Sequence, residues 1–143
     1  MSKLKERAAV KALVIREIGG APHFLYLEKK QPRLFRSSTR IKADIPGGTV
    51  EKGESREQAC LREVKEESGV EAEHLRKVSK WKFPRPEKSD MLIGTTHLCR
   101  YVAGEAKVRA EEADLLEKPR WRKVTDTTDL PKWIIDDLKA AGY

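Results

Sequence analysis

The sequence predicts an α/β fold, in which helices cover both faces of a mixed central β-sheet as an α/β/α sandwich. Three observations predict it: strand-like runs lie on both sides of one strongly marked helix, a second amphipathic helix follows the last strand, and no internal repeat or low-complexity linker divides the chain. With 143 residues, the chain can build one domain with a real core but not two comfortable ones. We therefore expect a single domain over residues 1–143.

The predicted strands are runs rich in β-branched and aromatic residues, separated by turn-forming residues. They cover residues 7–17, 23–29, 41–46, 74–83, 91–103 and 120–125. Gly19, Gly20 and Pro22 mark the first turn. Residues 31–40 form a basic loop in this interpretation, and residues 84–90 form a turn.

The first predicted helix has a clear start and a clear end. Ser55 followed by Gln58 fits a capping box, so the helix should start near Arg56. Gly69 is placed to end it in a left-handed turn.

A second helix is predicted over residues 130–143. Pro131 suits its first turn, where a missing N–H costs nothing. An apolar stripe for packing against the sheet is supplied by Trp133, Ile134 and Leu138.

Composition excludes several classes of protein. Hydrophobic residues make up 38% of the chain and charged ones 37%, and no apolar stretch approaches the roughly 20 residues of a membrane span. The first ten residues lack the apolar core of a secretory signal. Cys60 and Cys99 make no metal-type pair, and a disulfide between them is the less favoured alternative. We expect a reduced, cytoplasmic protein that does not enter membranes.

Basic residues form two clusters in a chain whose net charge is +7. One cluster lies between Glu28 and Lys42 and the other between Lys77 and Lys88. Such clusters favour an anionic ligand, although a solvated surface explains most individual side chains. Our candidates for substrate contacts are Arg40, Lys42, Lys82 and the aromatic Phe83.

The segment from Gly47 to Val70 instead concentrates acid, with six glutamates. With about 100° per residue on a helix, Glu66 and Glu67 lie within about 60° of Glu63, on one face, despite their mutual repulsion. A solvent-exposed acidic face explains this poorly. Three carboxylates near one point are what a hard cation such as Mg²⁺ needs, and a phosphate oxygen can complete its shell.

The same segment resembles the Nudix box, Gly-x5-Glu-x7-Arg-Glu-U-x-Glu-Glu-x-Gly-U, where U is a bulky aliphatic residue. All nine specified positions are filled. They are Gly48, Glu54, Arg62, Glu63, Val64, Glu66, Glu67, Gly69 and Val70. The flanking strands are also similar to a Nudix fold, so we expect the resemblance to extend over the whole domain.

The resemblance implies a pyrophosphohydrolase that needs Mg²⁺, with Mn²⁺ as an alternative, and acts on a nucleoside diphosphate linked to another group. Glu63, Glu66 and Glu67 would be metal ligands, together with a carbonyl near Gly47. Arg62 and Glu54 would hold the carboxylates in place. Gly48 would let the backbone approach the phosphates, although a simple turn also explains a glycine there.

In such an enzyme the metal lowers the pKa of the attacking water and screens the pyrophosphate charge. The general base varies within the family and often lies outside the box. Glu112 is our candidate for a base or an outer ligand, with Glu111 and Asp114 beside it. A solvated acidic loop is the alternative for these three residues.

The sequence leaves the substrate open. The compact length and the run around Gly47 favour a nucleoside triphosphate or related nucleotide. The alternatives are ADP-ribose, a dinucleoside polyphosphate, the 5′ end of an RNA, and a non-catalytic module that binds nucleotide or RNA. Trp81, Phe83 and Tyr101 could stack on a base or serve the core. A homodimer is a further expectation.

Overall fold

The computed structural model describes residues 4–29, 42–107 and 119–143, with the backbone alone at residues 28, 29, 42 and 43. The strands within these ranges are β1 Lys5–Ile18, β2 Ala21–Lys29, β3 Lys42–Asp44, β4 Gly47–Thr49, β5 Glu71–Arg85, β6 Asp90–Ala103 and β7 Arg120–Lys123. The helices are α1 Arg56–Ser68 and α2 Lys132–Ala140. A short 3₁₀ turn, Pro86–Lys88, joins β5 to β6.

The sheet is mixed, as predicted. Its order is β3-β2-β1-β6-β5, and β4 and β7 pair with β1 and β2 respectively. The long strands β1 and β6 run parallel, and the other pairs are antiparallel. Next to its pairing with β6, β1 also pairs with β4 through Ala9–Lys11. Near the loop that leads into α1, the strand order across the sheet is therefore β4-β1-β6-β5.

Each face of the sheet carries one helix, which confirms the predicted α/β/α sandwich. Alternate residues of β1 point to opposite faces, so Val10 and Val14 pack with Val64 of α1, while Leu13 packs with Ile134 of α2. Burial of both faces explains why β1 reads as a nearly continuous apolar run.

The prediction that Trp133 belongs to the buried apolar stripe of α2 is wrong. Ile134 and Leu138 are buried, but Trp133 is 38% exposed. The helix begins only at Lys132, so Trp133 lies in its first turn at the margin of the core. Its ring instead lies 5.4 Å from Nζ of Lys11.

The two cysteines are free and buried on the α1 side of the sheet, as expected for reduced thiols. Burial raises the pKa of Cys99 to about 12. Neither α1 nor α2 is long and apolar enough to cross a bilayer.

A histidine pair lies on the α1 face of the sheet, with His97 buried and His74 half-buried. His74 Nε2 and His97 Nδ1 are 2.8 Å apart, and His97 Nε2 lies 2.7 Å from the Thr95 hydroxyl. Burial, reinforced by His74, lowers the pKa of His97 to about 4. Glu57 opposes this shift, whereas Arg56 and Lys77 add to it. The folded protein therefore holds His97 neutral near pH 6.

This pair predicts how stability depends on pH. An unfolded histidine takes up a proton near pH 6.5, while folded His97 does not until about pH 4. His97 therefore favours the folded state fully above pH 6.5, and that contribution is lost as pH falls from 6.5 toward 4. We expect urea midpoints to fall between pH 7 and 5, and His97→Gln to flatten the fall. His23→Gln, on β2, is the control, and equal slopes in wild type and His97→Gln contradict the assignment.

Candidate active site at the β4–α1 loop

The loop from β4 into α1 is set by local signals that the sequence shows. Ser55 caps α1: its hydroxyl accepts from the Gln58 N–H at 3.1 Å, and the Gln58 side chain accepts from the Ser55 N–H at 2.8 Å. Gly69 ends the helix with φ 77°, and its N–H donates to the Lys65 carbonyl at 2.9 Å. The predicted start and end of this helix are confirmed.

Two glycines bring the backbone of β4 against glutamates of α1. A Cβ at Gly48 would lie 2.5 Å from Glu63 Oε1, so any larger residue would displace that carboxylate. The N–H of Gly47 donates to Glu67 Oε2 at 3.3 Å. A Cβ at Gly47 would lie 2.3 Å from the carbonyl oxygen of Val10 on the neighbouring strand. Both positions therefore require glycine for close approach, which a simple turn does not explain.

Arg62 is the centre of the acidic cluster. Its Nε and Nη2 donate to the two oxygens of Glu54 at 2.7 and 3.0 Å, a bidentate pair. Its Nη1 donates to Glu63 Oε1 at 2.8 Å and to Glu66 Oε2 at 3.1 Å. Nη2 also donates to the Thr49 carbonyl at 3.1 Å, which ties the helix to β4. One guanidinium thus orients three of the box carboxylates.

The pKa shifts follow from these contacts. Burial raises the pKa of Glu63, and the charge of Glu66 adds to this effect, while the hydrogen bond and charge of Arg62 oppose it. The Arg62 hydrogen bond lowers the pKa of Glu54, with help from the Glu51 N–H, which donates to Glu54 Oε1 at 3.0 Å. Hydrogen bonds to Glu54 and Glu63 raise the pKa of Arg62. The ionised form of Glu63 is therefore disfavoured mainly by burial, and Arg62 offsets part of that effect.

The donor set fits a hard divalent cation, although these side chains are not arranged around one point. Within the described ranges, no three acidic, histidine or cysteine side chains form a ready-made cluster for a metal. The reason is that Glu63 and Glu66 turn to Arg62, while Glu67 accepts from Gly47. Carboxylate oxygens are the ligands that Mg²⁺ takes, and the glycine at position 48 leaves Glu63 room on the β4 side. The predicted ligand set remains a prediction.

The other predicted site residues lie elsewhere or outside the described ranges. Lys82 and Phe83 are exposed on β5, which is separated from β4 by β1 and β6. Lys42 lies in β3, and only its backbone is described. Arg40 and Glu112 fall outside the described residues, as do Glu111 and Asp114.

Sequence reasoning missed several contacts around this loop. Lys11, opposite Gly47 on β1, forms a 2.6 Å ion pair with Asp44. Arg56 reaches from α1 to the carbonyls of Ala9 and Ile93 at 2.8 and 3.0 Å. Nothing in the local pattern indicates these contacts, because they join residues far apart in the chain.

Comparison with known proteins shows the family of this chain. The NUDIX domain family model matches residues 5–139. NAD-capped RNA hydrolase NudC of Escherichia coli O157:H7 is 38% identical over 87 residues, which are 61% of this chain but 31% of that protein. The chain thus spans under a third of the length of that curated relative.

Solved structures show the same fold. A MutT NUDIX hydrolase from Burkholderia pseudomallei superposes with a TM-score of 0.72 at 21% identity, over 95% of this chain and 98% of that one. A C. elegans Ap4A hydrolase superposes with a TM-score of 0.72 at 17% identity, over 96% and 99% of the two chains. The chain belongs to the Nudix family, and the predicted class, a Nudix hydrolase, is confirmed at the level of the family.

Proposed function

We propose that this protein hydrolyses a pyrophosphate bond in a nucleoside triphosphate or a related nucleotide, with Mg²⁺ as its cofactor. The observation that carries the proposal is the grouping of Glu63, Glu66 and Glu67 around Arg62 and the two close-packed glycines of β4. A module that only bound nucleotide would not need this complete set of carboxylates.

Each residue of the loop has a distinct part in the proposal. Glu63, Glu66 and Glu67 hold the cation, together with the backbone at Gly47. Arg62 and Glu54 keep the carboxylates oriented, through the bidentate pair that anchors Arg62. When bound, Mg²⁺ screens the charge of the pyrophosphate and makes the attacking water more acidic. Gly48 keeps side-chain bulk away from Glu63.

Several further assignments stay part of the proposal. Glu112 remains the candidate general base, and Arg40, Lys42, Lys82 and Phe83 remain candidate substrate contacts. A cytoplasmic location and a homodimer are also proposed. Mn²⁺ is the expected alternative metal, because it suits the same oxygen ligands.

Activity should depend on a divalent cation and should rise with pH. Burial raises the pKa of Glu63, so the carboxylate takes up a proton, and loses its affinity for the cation, as pH falls through that raised pKa. Deprotonation of the attacking water also becomes easier at higher pH. We would measure phosphate and pyrophosphate release from nucleoside triphosphates between pH 6 and 9. Full turnover in excess EDTA would rule this mechanism out.

The 5′ end of an RNA is a second candidate substrate, favoured by the similarity to NAD-capped RNA hydrolase NudC. The exposed lysines of β5 also fit it. Lys77, Lys80 and Lys82 pair with His97, Thr95 and Ile93 across β6 and so share one face. None of the three forms an ion pair with any residue in the described ranges.

Salt dependence separates the two candidates. A long polyanion releases more counterions than a mononucleotide, so its binding falls more steeply as salt rises. We expect the KM of a nucleoside triphosphate to change little across a salt series, and a short 5′-triphosphate RNA to compete only at low salt. A tenfold advantage of the RNA at physiological salt would replace our primary proposal with RNA end processing.

A further inference from the structure

One stripe of α1 carries both the first residue of the helix, Arg56, and two of the candidate metal ligands. With about 100° per residue, three later residues lie within about 40° of Arg56 around the helix axis. They are Cys60, Glu63 and Glu67. The stripe faces the sheet, because Cys60 and Glu67 are buried. A contact that fixes Arg56 to the sheet therefore also fixes the direction in which Glu63 and Glu67 point.

Arg56 is anchored to two neighbouring strands at once. Its Nη1 donates to the Ala9 carbonyl of β1 at 2.8 Å, and its Nη2 donates to the Ile93 carbonyl of β6 at 3.0 Å. Nη1 also donates to the Thr95 hydroxyl of β6 at 3.0 Å. Because both nitrogens belong to one planar guanidinium, these bonds fix its orientation as well as its position. The start of α1 is thus held at the junction of β1 and β6.

The Thr95 hydroxyl is itself held from its far side by the histidine pair. It lies 2.7 Å from His97 Nε2, and His97 Nδ1 lies 2.8 Å from His74 Nε2. Since the hydroxyl oxygen accepts from Arg56, its own proton is available to the neutral imidazole of His97. The histidine pair thereby keeps the hydroxyl oxygen turned toward Arg56.

Farther along the stripe, the contacts follow the pairing of β1 with β4. The Cys60 thiol lies 3.8 Å from the Lys11 carbonyl oxygen, two residues beyond the Arg56 contact on β1. Lys11 pairs with Gly47, whose N–H donates to Glu67 Oε2. A slide of α1 by one residue, about 1.5 Å, would carry its glutamates past the two glycines of β4. The register of α1 on β1 therefore decides whether these glutamates meet those glycines.

We propose that Arg56 is a positioning residue that sets the register of α1 on the sheet and, through it, the placement of Glu63 and Glu67 at the cation. This inference rests on the proposed function, which assigns these glutamates to Mg²⁺. Nη1 and Nη2 of Arg56 donate to β1 and β6, so Arg56 acts on the glutamates through the helix. Its positive charge opposes cation binding, so weaker binding after its removal reflects lost positioning rather than lost electrostatic attraction.

Binding of Mn²⁺ without substrate tests the inference directly. Free Mn²⁺ would be measured by electron paramagnetic resonance in titrations of wild type, Arg56→Met and Lys65→Met. We expect Arg56→Met to bind Mn²⁺ about tenfold more weakly, because groups that orient metal ligands contribute about that much affinity. Lys65 is the matched control, an exposed cation of the same helix that pairs with Glu71, and its loss should leave binding unchanged or slightly tighter. A dissociation constant of Arg56→Met within about twofold of wild type, or below it, overturns the inference.

Arg56→Lys keeps the test decisive if Arg56→Met does not melt cooperatively. Lysine retains the charge, but an ammonium presents its donors from one atom and cannot reproduce the planar pair that holds both strands. We expect Arg56→Lys to weaken Mn²⁺ binding by at least about threefold. Equal affinity in Arg56→Lys and wild type overturns the inference.

Amide exchange in the metal-free protein separates this inference from the proposed function. The Gly47 N–H, which donates to Glu67, should exchange about tenfold faster in Arg56→Lys than in wild type. The control is the Ala12 N–H, which donates to the Pro46 carbonyl at 2.8 Å and should exchange at an unchanged rate. Equal acceleration of both amides, or no acceleration at Gly47, overturns the inference. If wild type binds no Mn²⁺, the metal site of the proposed function fails, and amide exchange alone decides whether Arg56 sets the register.

Discussion

Replacing Glu63 or Glu67 with glutamine should lower turnover by about two to three orders of magnitude while the fold remains intact. Glutamine keeps the size of the side chain but removes the charge that a divalent cation needs. At Glu63 it also removes a carboxylate whose ionised form is disfavoured by burial and by Glu66. Thermal stability without metal should therefore hold or rise slightly, because repulsion on the helix face is relieved.

Glu57→Gln is the matched control, since Glu57 lies in the first turn of the same helix and is exposed. It should keep turnover within about threefold of wild type. Turnover and melting temperature would be measured for all three variants in the same buffer. Near-normal activity in both Glu63→Gln and Glu67→Gln would contradict the assignment of the metal site.

Replacing Arg62 with methionine should have the largest effect on stability. Arg62 is 21% exposed and bonds Glu54, Glu63 and Glu66, so its loss leaves three carboxylates close together without a cation. Breaking a buried ion pair on one side typically costs about 3–5 kcal/mol. Because this site is partly solvated, we expect the lower end of that range, about 3 kcal/mol, from urea unfolding in EDTA.

Arg76→Met is the control for Arg62. Arg76 is exposed and makes one long bond, 3.4 Å to the Ala140 carbonyl, so its loss should cost about 0.5 kcal/mol or less. Arg62→Lys should not restore stability fully, because an ammonium cannot make the bidentate contact with Glu54. A loss below about 1 kcal/mol in Arg62→Met would show that Arg62 does not hold the cluster together.

The parts of the fold that local chemistry controls could be predicted from the sequence. Helix α1 is delimited by a capping box at Ser55 and a left-handed glycine at Gly69, and both devices act within a few residues. Strand β1 was recognisable because burial on both faces selects apolar side chains along its central part. Strand β6 was recognisable from its apolar ends, although its middle buries the polar residues Thr95, Thr96 and His97. The layer order followed from placing helices on both sides of a sheet.

The parts that depend on distant contacts could not be predicted. Strand β4 has three residues, two of them glycine, and exists because β1 pairs with it. Strand β5 contains register shifts between His74 and Arg76 and between Lys77 and Ser79. These shifts move Lys77 onto the same face as Lys80 and Lys82, which simple alternation along the chain would not give.

The candidate site also has features that the sequence predicts and contacts that it does not. Spacing on a helix placed Glu63, Glu66 and Glu67 on one face of the predicted helix, and the resemblance to the Nudix box supplied their proposed roles. The sharing of Arg62 between Glu63 and Glu66, and the use of the Thr49 carbonyl, depend on side-chain directions and backbone groups that a sequence does not encode locally. The pairing of His74 with His97 likewise arises from strand register.

The central claim is that the glutamates of α1 hold the cation with which this protein hydrolyses a pyrophosphate bond in a nucleotide. The most direct test is a panel of nucleoside triphosphates, ADP-ribose, a dinucleoside polyphosphate and a 5′-triphosphate RNA, incubated with Mg²⁺ and wild type or Glu67→Gln protein. Phosphate, pyrophosphate and nucleoside monophosphate would be quantified for each. We predict that wild type releases pyrophosphate or phosphate from at least one nucleoside triphosphate, and that Glu67→Gln does so at least about a hundredfold more slowly. Release of none of these products from any substrate by wild type, or equal release by both proteins, would contradict the account.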